Sequence, residues 1–231
     1  MKTIFFNDNI YTRRGYIKTK MNTLNEIKTR YTKESNKTCN LSCGSNIDFL
    51  KIQNGETILD LGCGRGNDTI EAAIKTGPGG KVTGLDITEA MIKKAKTAAD
   101  NIGVSNADFI KGDIEILPFD NGVFDAVMSN CVINHAKSKN KAFIEISRVL
   151  KEGGRFVISD ALTKEPLPLE IKNSPNAWAQ CFGGAITEEQ YLRAIKSAGF
   201  EYINILKRRE YVKNGYDFIS LTIMAYKNTG F

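Results

Sequence analysis

The sequence is short of histidine. His135 is the only one, so a polyhistidine metal site or a histidine relay is excluded. Five cysteines are present. Cys39 and Cys43 stand four apart, but no second Cys/His pair completes a zinc site around them. No apolar stretch approaches the ~20 residues of a membrane span. Met1–Phe6 begins like a secretory signal, yet Asn7, Asp8 and Asn9 end it before an apolar core of ~7 residues can form. Internal repeats and low-complexity tracts are also missing. The expectation is a cytoplasmic chain with reduced thiols and no membrane partner. Excess charge is missing from most of the chain too. The formal charge of +6 is carried by residues 1–38, which hold nine Lys/Arg and three Asp/Glu, and the remainder balances. No basic nucleic-acid face is expected on the body, and the basic segment reads as a solvated tail. What is there is ordinary: 231 residues, 42% apolar and 25% charged, enough for one globular domain with an appendage.

One stretch organises the rest. An apolar run, Ile58-Leu59-Asp60-Leu61, leads into Gly62-Cys63-Gly64-Arg65-Gly66, and a helical pattern starts at once from Asp68. This is strand, tight turn, helix. Glycines let the backbone turn sharply and let a ligand approach it closely, and the free N–H groups of a helix start favour a polar or anionic group. Twenty residues after Gly66, a second apolar run ends in Asp86, where an acid can accept hydrogen bonds from a ribose diol. The dinucleotide fingerprint is G-x-G-x-x-G, whereas this loop is G-x-G-x-G, which disfavours a nicotinamide oxidoreductase.

Strands and helices alternate from there. Strands are expected at Thr57–Leu61, Lys81–Leu85, Ala107–Lys111, Phe124–Ser129 and Phe156–Asp160. Helices are expected from Asp68 to Lys75, from Thr88 to about Ile102, from Lys141 to Leu150, and over 187–198 behind the capping box Thr187-Glu188-Glu189-Gln190. Before them, Leu24, Ile27 and Tyr31 recur at helical spacing, and a short helix fits 46–50. Tyr202–Tyr211 and Phe218–Tyr226 close the chain as a hairpin. The pattern specifies an α/β fold with a mostly parallel sheet, helices on both faces and an antiparallel edge strand. Ligands of such sheets bind at the carboxyl ends of the strands. That selects Asp60 to Gly66, Asp86 and Ile87, Gly112 to Ile114, and Asn130 and Cys131.

The glycine loop with Asp60 and Asp86 resembles the first motifs of the class I S-adenosylmethionine-dependent methyltransferases. The resemblance implies their seven-stranded Rossmann-like sheet over residues 39–231, with 1–38 as a basic segment containing a short helix. It also implies that Asp60, Gly62, Cys63, Gly64 and Gly66 hold the methionine end of S-adenosylmethionine, with Asn130 beneath it. Asp86 would hold the ribose, and Ile87 and Met91 count among the cofactor-binding residues. Asp113 would take the adenine amino group, and Ile114 would pack on the ring.

More specific words follow. Ser129-Asn130-Cys131-Val132-Ile133-Asn134, the run Arg148 to Asp160, Leu167 to Ile171, and Trp178-Ala179-Gln180-Cys181-Phe182-Gly183-Gly184-Ala185 resemble the arsenite methyltransferase family in order and spacing. This resemblance implies that Cys131 and Cys181 are the thiolates that hold trivalent arsenic, Cys181 lying in a segment, 161–186, that roofs the substrate site. Thiolates are the soft ligands such a centre prefers, and its lone pair can attack a methyl group without a general base. S-adenosylhomocysteine would be the product. His135 stands where that family usually has an apolar residue and reads as structural or rim-facing. Many members carry a further cysteine where this chain has Thr69, and Cys39 and Cys43 do not align securely with it. A third arsenic ligand would then come from outside, most simply a small thiol such as glutathione. A methyltransferase for a small organic acceptor, and a non-catalytic binder of S-adenosylmethionine or arsenic, stay open as alternatives. So does the oligomeric state.

Overall fold

Apolar side chains alternate along β1 (Thr57–Leu61), and the two registers face opposite sides of one sheet. Ile58 packs with Ala72, Ala73, Val82 and Met128, while Leu59 and Leu61 join Phe124, Val127, Phe156 and Ile158. Both faces are therefore buried, as a parallel sheet requires.

The computed structural model describes residues 23–35 and 46–229; Cys39, Cys43 and the segment 1–22 lie outside them. The described chain begins with helix α1 over 23–34, which contains the expected Leu24, Ile27 and Tyr31. There follow α2 (Ile47–Leu50), β1, α3 (Asn67–Thr76), β2 (Lys81–Asp86), α4 (Glu89–Asn101), β3 (Ala107–Lys111), β4 (Phe124–Asn130), α5 (Lys139–Val149), β5 (Leu150–Thr163), α6 (Leu169–Lys172), α7 (Pro175–Ala179), α8 (Glu188–Ser197), β6 (Phe200–Lys213) and β7 (Tyr216–Lys227). The sheet has seven strands in the order β3-β2-β1-β4-β5-β7-β6. The first five are mutually parallel. The edge strand β6 is antiparallel to its neighbour, as a hairpin requires, but β7 rather than β6 lies against β5.

The expected elements appear, with shifted ends. The full capping box of α8 forms, with Thr187 and Gln190 exchanging side-chain to backbone bonds at 3.3 Å. α5 starts two residues early because the Ser138 hydroxyl accepts the Lys141 N–H at 3.2 Å. β5 starts at Leu150 rather than Phe156. A register shift against β4 absorbs the Gly153-Gly154 pair. At its other end β5 runs on to Thr163, paired with Phe218, so residues 161–163 belong to the sheet rather than to the roofing insertion. The roof beyond them has its own small core of Leu167, Ala177, Phe182 and Ala185 against Phe218.

Candidate functional site

The carboxyl ends of β1, β2, β3 and β4 open onto a cavity of about 680 Å³, within the usual range for a small-molecule site. Its floor is the glycine loop. Gly62 has φ +71°, and a Cβ there would lie 2.1 Å from a methyl of Val132, so only glycine fits. The Gly62 and Cys63 N–H groups donate to the Leu85 carbonyl at 2.7 and 3.0 Å, which ties the loop to β2. Gly64, also at positive φ, has nothing within 4 Å of where a Cβ would be. Its N–H donates to Asp86 Oδ2 at 3.1 Å, and the Thr88 N–H donates to Asp86 Oδ1 at 2.8 Å. Burial raises the Asp86 carboxyl above its ordinary range, and these backbone donors pull it back.

Ten of the sequence-selected residues line this one cavity. Gly62, Cys63 and Gly64 form the floor, Asp86 and Ile87 one side, Asp113 and Ile114 the next, and Asn130, Cys131 and Cys181 the far end. Asp113 also accepts the Glu115 N–H at 2.9 Å, so it shapes the turn it stands in. Three of the selected residues do not line the wall. Asp60 is buried below the loop, where its Oδ2 accepts the Thr69 hydroxyl at 2.6 Å, and burial pushes its carboxyl up to about 7. Gly66 is pressed between Phe109 and Ala95, with its Cβ position 2.7 Å from the Phe109 ring. Met91 is fully buried on the inward face of α4. Thr69 is likewise fully buried and turned to Asp60, away from the cavity.

The two cysteines share an unusual backbone. Cys131 has φ +58° and Cys181 φ +62°, the left-handed region that ordinary residues avoid. Cys131 leaves β4 on a hydrogen bond from its N–H to the Ser159 carbonyl at 2.8 Å; Cys181 ends α7 on one to the Trp178 carbonyl at 3.0 Å. The glycines after Cys181 let the roof close on the site. A Cβ on Gly184 would sit 2.0 Å from the Asn134 carbonyl oxygen, and one on Gly183 2.6 Å from the Trp178 nitrogen. Cys181 is a free thiol.

Two features escaped the sequence reading. The first is α1. Leu24, Ile27, Arg30 and Tyr31 line the cavity, so this part of the basic segment is a wall and not a solvated tail. Arg30 donates to the Ala179 carbonyl, and Arg65 donates to the Glu34 carbonyl at 2.7 Å. The second is His135, expected to be structural or rim-facing. Its Nε2 lies 3.1 Å from Cys181 Sγ and 3.1 Å from the Tyr31 hydroxyl. Tyr31 Oη is in turn 2.9 Å from Cys181 Sγ, and Arg30 reaches that sulfur at 3.7 Å. Burial pushes His135 down to about 4, so its ring is neutral at pH 7. The helical period of α1 was visible in the sequence. Its docking, 150 residues away in the chain, had no local signal.

Among the described residues no helix is long and apolar enough to cross a membrane, and no three His, Cys, Asp or Glu side chains are placed to hold a metal ion.

Comparison with known proteins gives three findings. A family profile described as a methyltransferase domain matches residues 52–199. An arsenite methyltransferase of Halobacterium salinarum is 38% identical over 170 residues, covering 74% of this chain and 44% of that protein; the human arsenite methyltransferase is 37% identical over 152 residues, covering 62% and 40%. The chain thus spans less than half the length of these relatives. The crystal structure of an arsenic(III) S-adenosylmethionine methyltransferase from Chlamydomonas reinhardtii superposes with a TM-score of 0.71 at 30% identity, covering 92% of this chain and 74% of that one.

Proposed function

Because this chain belongs to the methyltransferase family, we propose that it moves a methyl group from S-adenosylmethionine to trivalent arsenic bound through Cys131 and Cys181. The observation that carries this reading is that both cysteines line the same cavity as the glycine loop and Asp86.

The residues of the cavity fit the cofactor. Gly64 leaves its side of the floor open. The Asp86 carboxylate has accepted one N–H on each oxygen, which leaves lone pairs for a ribose diol. Asp113 would take the adenine amino group and Ile114 would pack on the ring. Asp60, the glycine loop and Asn130 would hold the methionine part. When bound there, S-adenosylmethionine supplies an electrophilic methyl group on a sulfonium, which the arsenic lone pair takes as the carbon–sulfur bond breaks onto sulfur.

The protein's task is to hold and orient. Arsenic is thiophilic, and two thiolates fixed by separate elements would present its lone pair in one direction. No proton has to leave the nucleophile, so the site needs no general base. α1 and the roof cover the thiols and limit access of water.

The test is arsenite-dependent formation of S-adenosylhomocysteine, set against a panel of organic acceptors. Cys131→Ser and Cys181→Ser should each abolish it, since losing one thiolate also loses the preorganisation that makes the second bond nearly intramolecular. The double variant should be little worse than either single one. Full arsenite turnover by either single variant would leave an organic acceptor as the better reading.

A further inference from the structure

Trivalent arsenic held by two cysteines has one position left. No third cysteine stands beside Cys181 among the described residues; a hydroxyl and an imidazole do. Tyr31 Oη is 2.9 Å from Cys181 Sγ, His135 Nε2 is 3.1 Å from it, and the two polar atoms are 3.1 Å apart. The rings meet edge to face at 5.6 Å. Arg30 fixes the arrangement from outside, with its guanidinium 5.3 Å from the Tyr31 ring centroid. Any group bound to arsenic next to Cys181 Sγ therefore meets Tyr31 and His135.

Their hydrogen-bonding capacity suits one kind of group. A phenol hydroxyl both gives and accepts a hydrogen bond, and the imidazole nitrogen facing it does one or the other according to its tautomer. Together they complement a hydroxyl, which both accepts and gives a hydrogen bond. The sulfur of a bound small thiol has no hydrogen to give and accepts weakly. A site built to pair a hydroxyl discriminates strongly against an analogue that lacks it, because its buried polar groups are left unpaired.

We propose that Tyr31 and His135 select an oxygen as the third arsenic ligand, so that the acceptor is arsenic bound by Cys131, Cys181 and one hydroxyl rather than a small-thiol adduct. This rests on the arsenic reading of the site. Loading is then a balanced exchange. Arsenous acid, As(OH)₃, meets two thiols; two arsenic–sulfur bonds form, two arsenic–oxygen bonds break, and the two thiol hydrogens leave with the two hydroxyls as water. Arsenic stays trivalent and keeps its lone pair, and no co-thiol is consumed.

Arsenic K-edge X-ray absorption on the full chain loaded with arsenite, with and without excess glutathione, tests this. The expected shell has two sulfurs and one oxygen in both samples. In the Tyr31→Phe/His135→Leu double variant, glutathione should replace the oxygen with a third sulfur. A three-sulfur shell in the wild type overturns the proposal, whether it needs glutathione or forms without it through a further protein thiol, and leaves the arsenic reading standing. A double variant that keeps its oxygen in excess glutathione overturns the roles given to Tyr31 and His135. A shell without sulfur removes the arsenic reading, and this proposal with it.

Discussion

Replacing either site cysteine by glycine should yield a more stable protein than replacing it by alanine, the reverse of the usual order. Cys131 and Cys181 sit at φ +58° and +62°. A side chain in the left-handed region costs roughly 1–2 kcal/mol, from contact between Cβ and the carbonyl oxygen. Alanine retains Cβ and hence that cost; glycine removes it. Against this, glycine loses more chain entropy on folding, about 0.5–1 kcal/mol relative to alanine. Both variants lose the sulfur alike, so the difference isolates the backbone. Glycine should win by about 0.5–1 kcal/mol at each position. At ~2–4 °C per kcal/mol for a chain of this size, that is a lead of roughly 1–4 °C in Tm. Cys63 is the internal control. It is buried, but its φ is not positive, so there the alanine variant should melt higher. Calorimetric scans of the six single variants without ligand decide it. An alanine variant that equals or exceeds its glycine partner at position 131 or 181 would refute the argument that these thiols are held at a stability cost.

Asp86→Ala should weaken S-adenosylmethionine binding by roughly ten- to a hundredfold, because charge-assisted hydrogen bonds of ~1.5–3 kcal/mol are lost in a dry site; unchanged affinity by titration calorimetry would remove Asp86 from the cofactor site. Thr69→Cys should leave arsenite affinity unchanged, since this side chain is turned to Asp60 beneath the loop; a rise in affinity would show that position 69 reaches the arsenic. Asp160 is buried with its carboxyl raised to about 7, and the Tyr191 hydroxyl donates to it at 2.9 Å. The native state thus binds a proton that the unfolded chain releases near pH 4, and this contribution is full below that point and lost as pH rises toward 7. Chemical denaturation at pH 5 and pH 8 should show a smaller stability drop in Asp160→Asn than in the wild type; an equal drop would place the slope elsewhere.

The parallel part of the sheet was legible because its signals are local. An apolar run ending in an acid, a glycine turn and a helix pattern specify each β–α unit on their own, and Asp86, Asp113 and Asn130 follow from where the strands end. The two cysteines came from longer sequence words, not from local physics, and nothing in the sequence marks their left-handed backbone. His135 was set aside because an isolated histidine carries no sign of its neighbours; only folding brings Tyr31 and Cys181 to it. The basic charge of residues 1–38 pointed to solvent, whereas the apolar positions of α1 decide where that helix packs. Asp60, Gly66 and Met91 were named as contact residues through the resemblance; Asp60 and Met91 are buried, and Gly66 is pressed between Phe109 and Ala95.

The strand order has a consequence for synthesis. β6 leaves the ribosome before β7, yet its only partner in the sheet is β7, and β7 is also what covers the open side of β5. Until β7 has been made, β5 exposes a row of unpaired N–H and carbonyl groups, and β6 has no strand beside it. β3, β2, β1 and β4 have all their partners by then and β5 lacks only β7, so the nascent chain passes through a state with five strands joined and two waiting. In that interval a foreign strand competes for β5 on equal terms, and the arrival of β7 ends the competition by filling both vacancies at once.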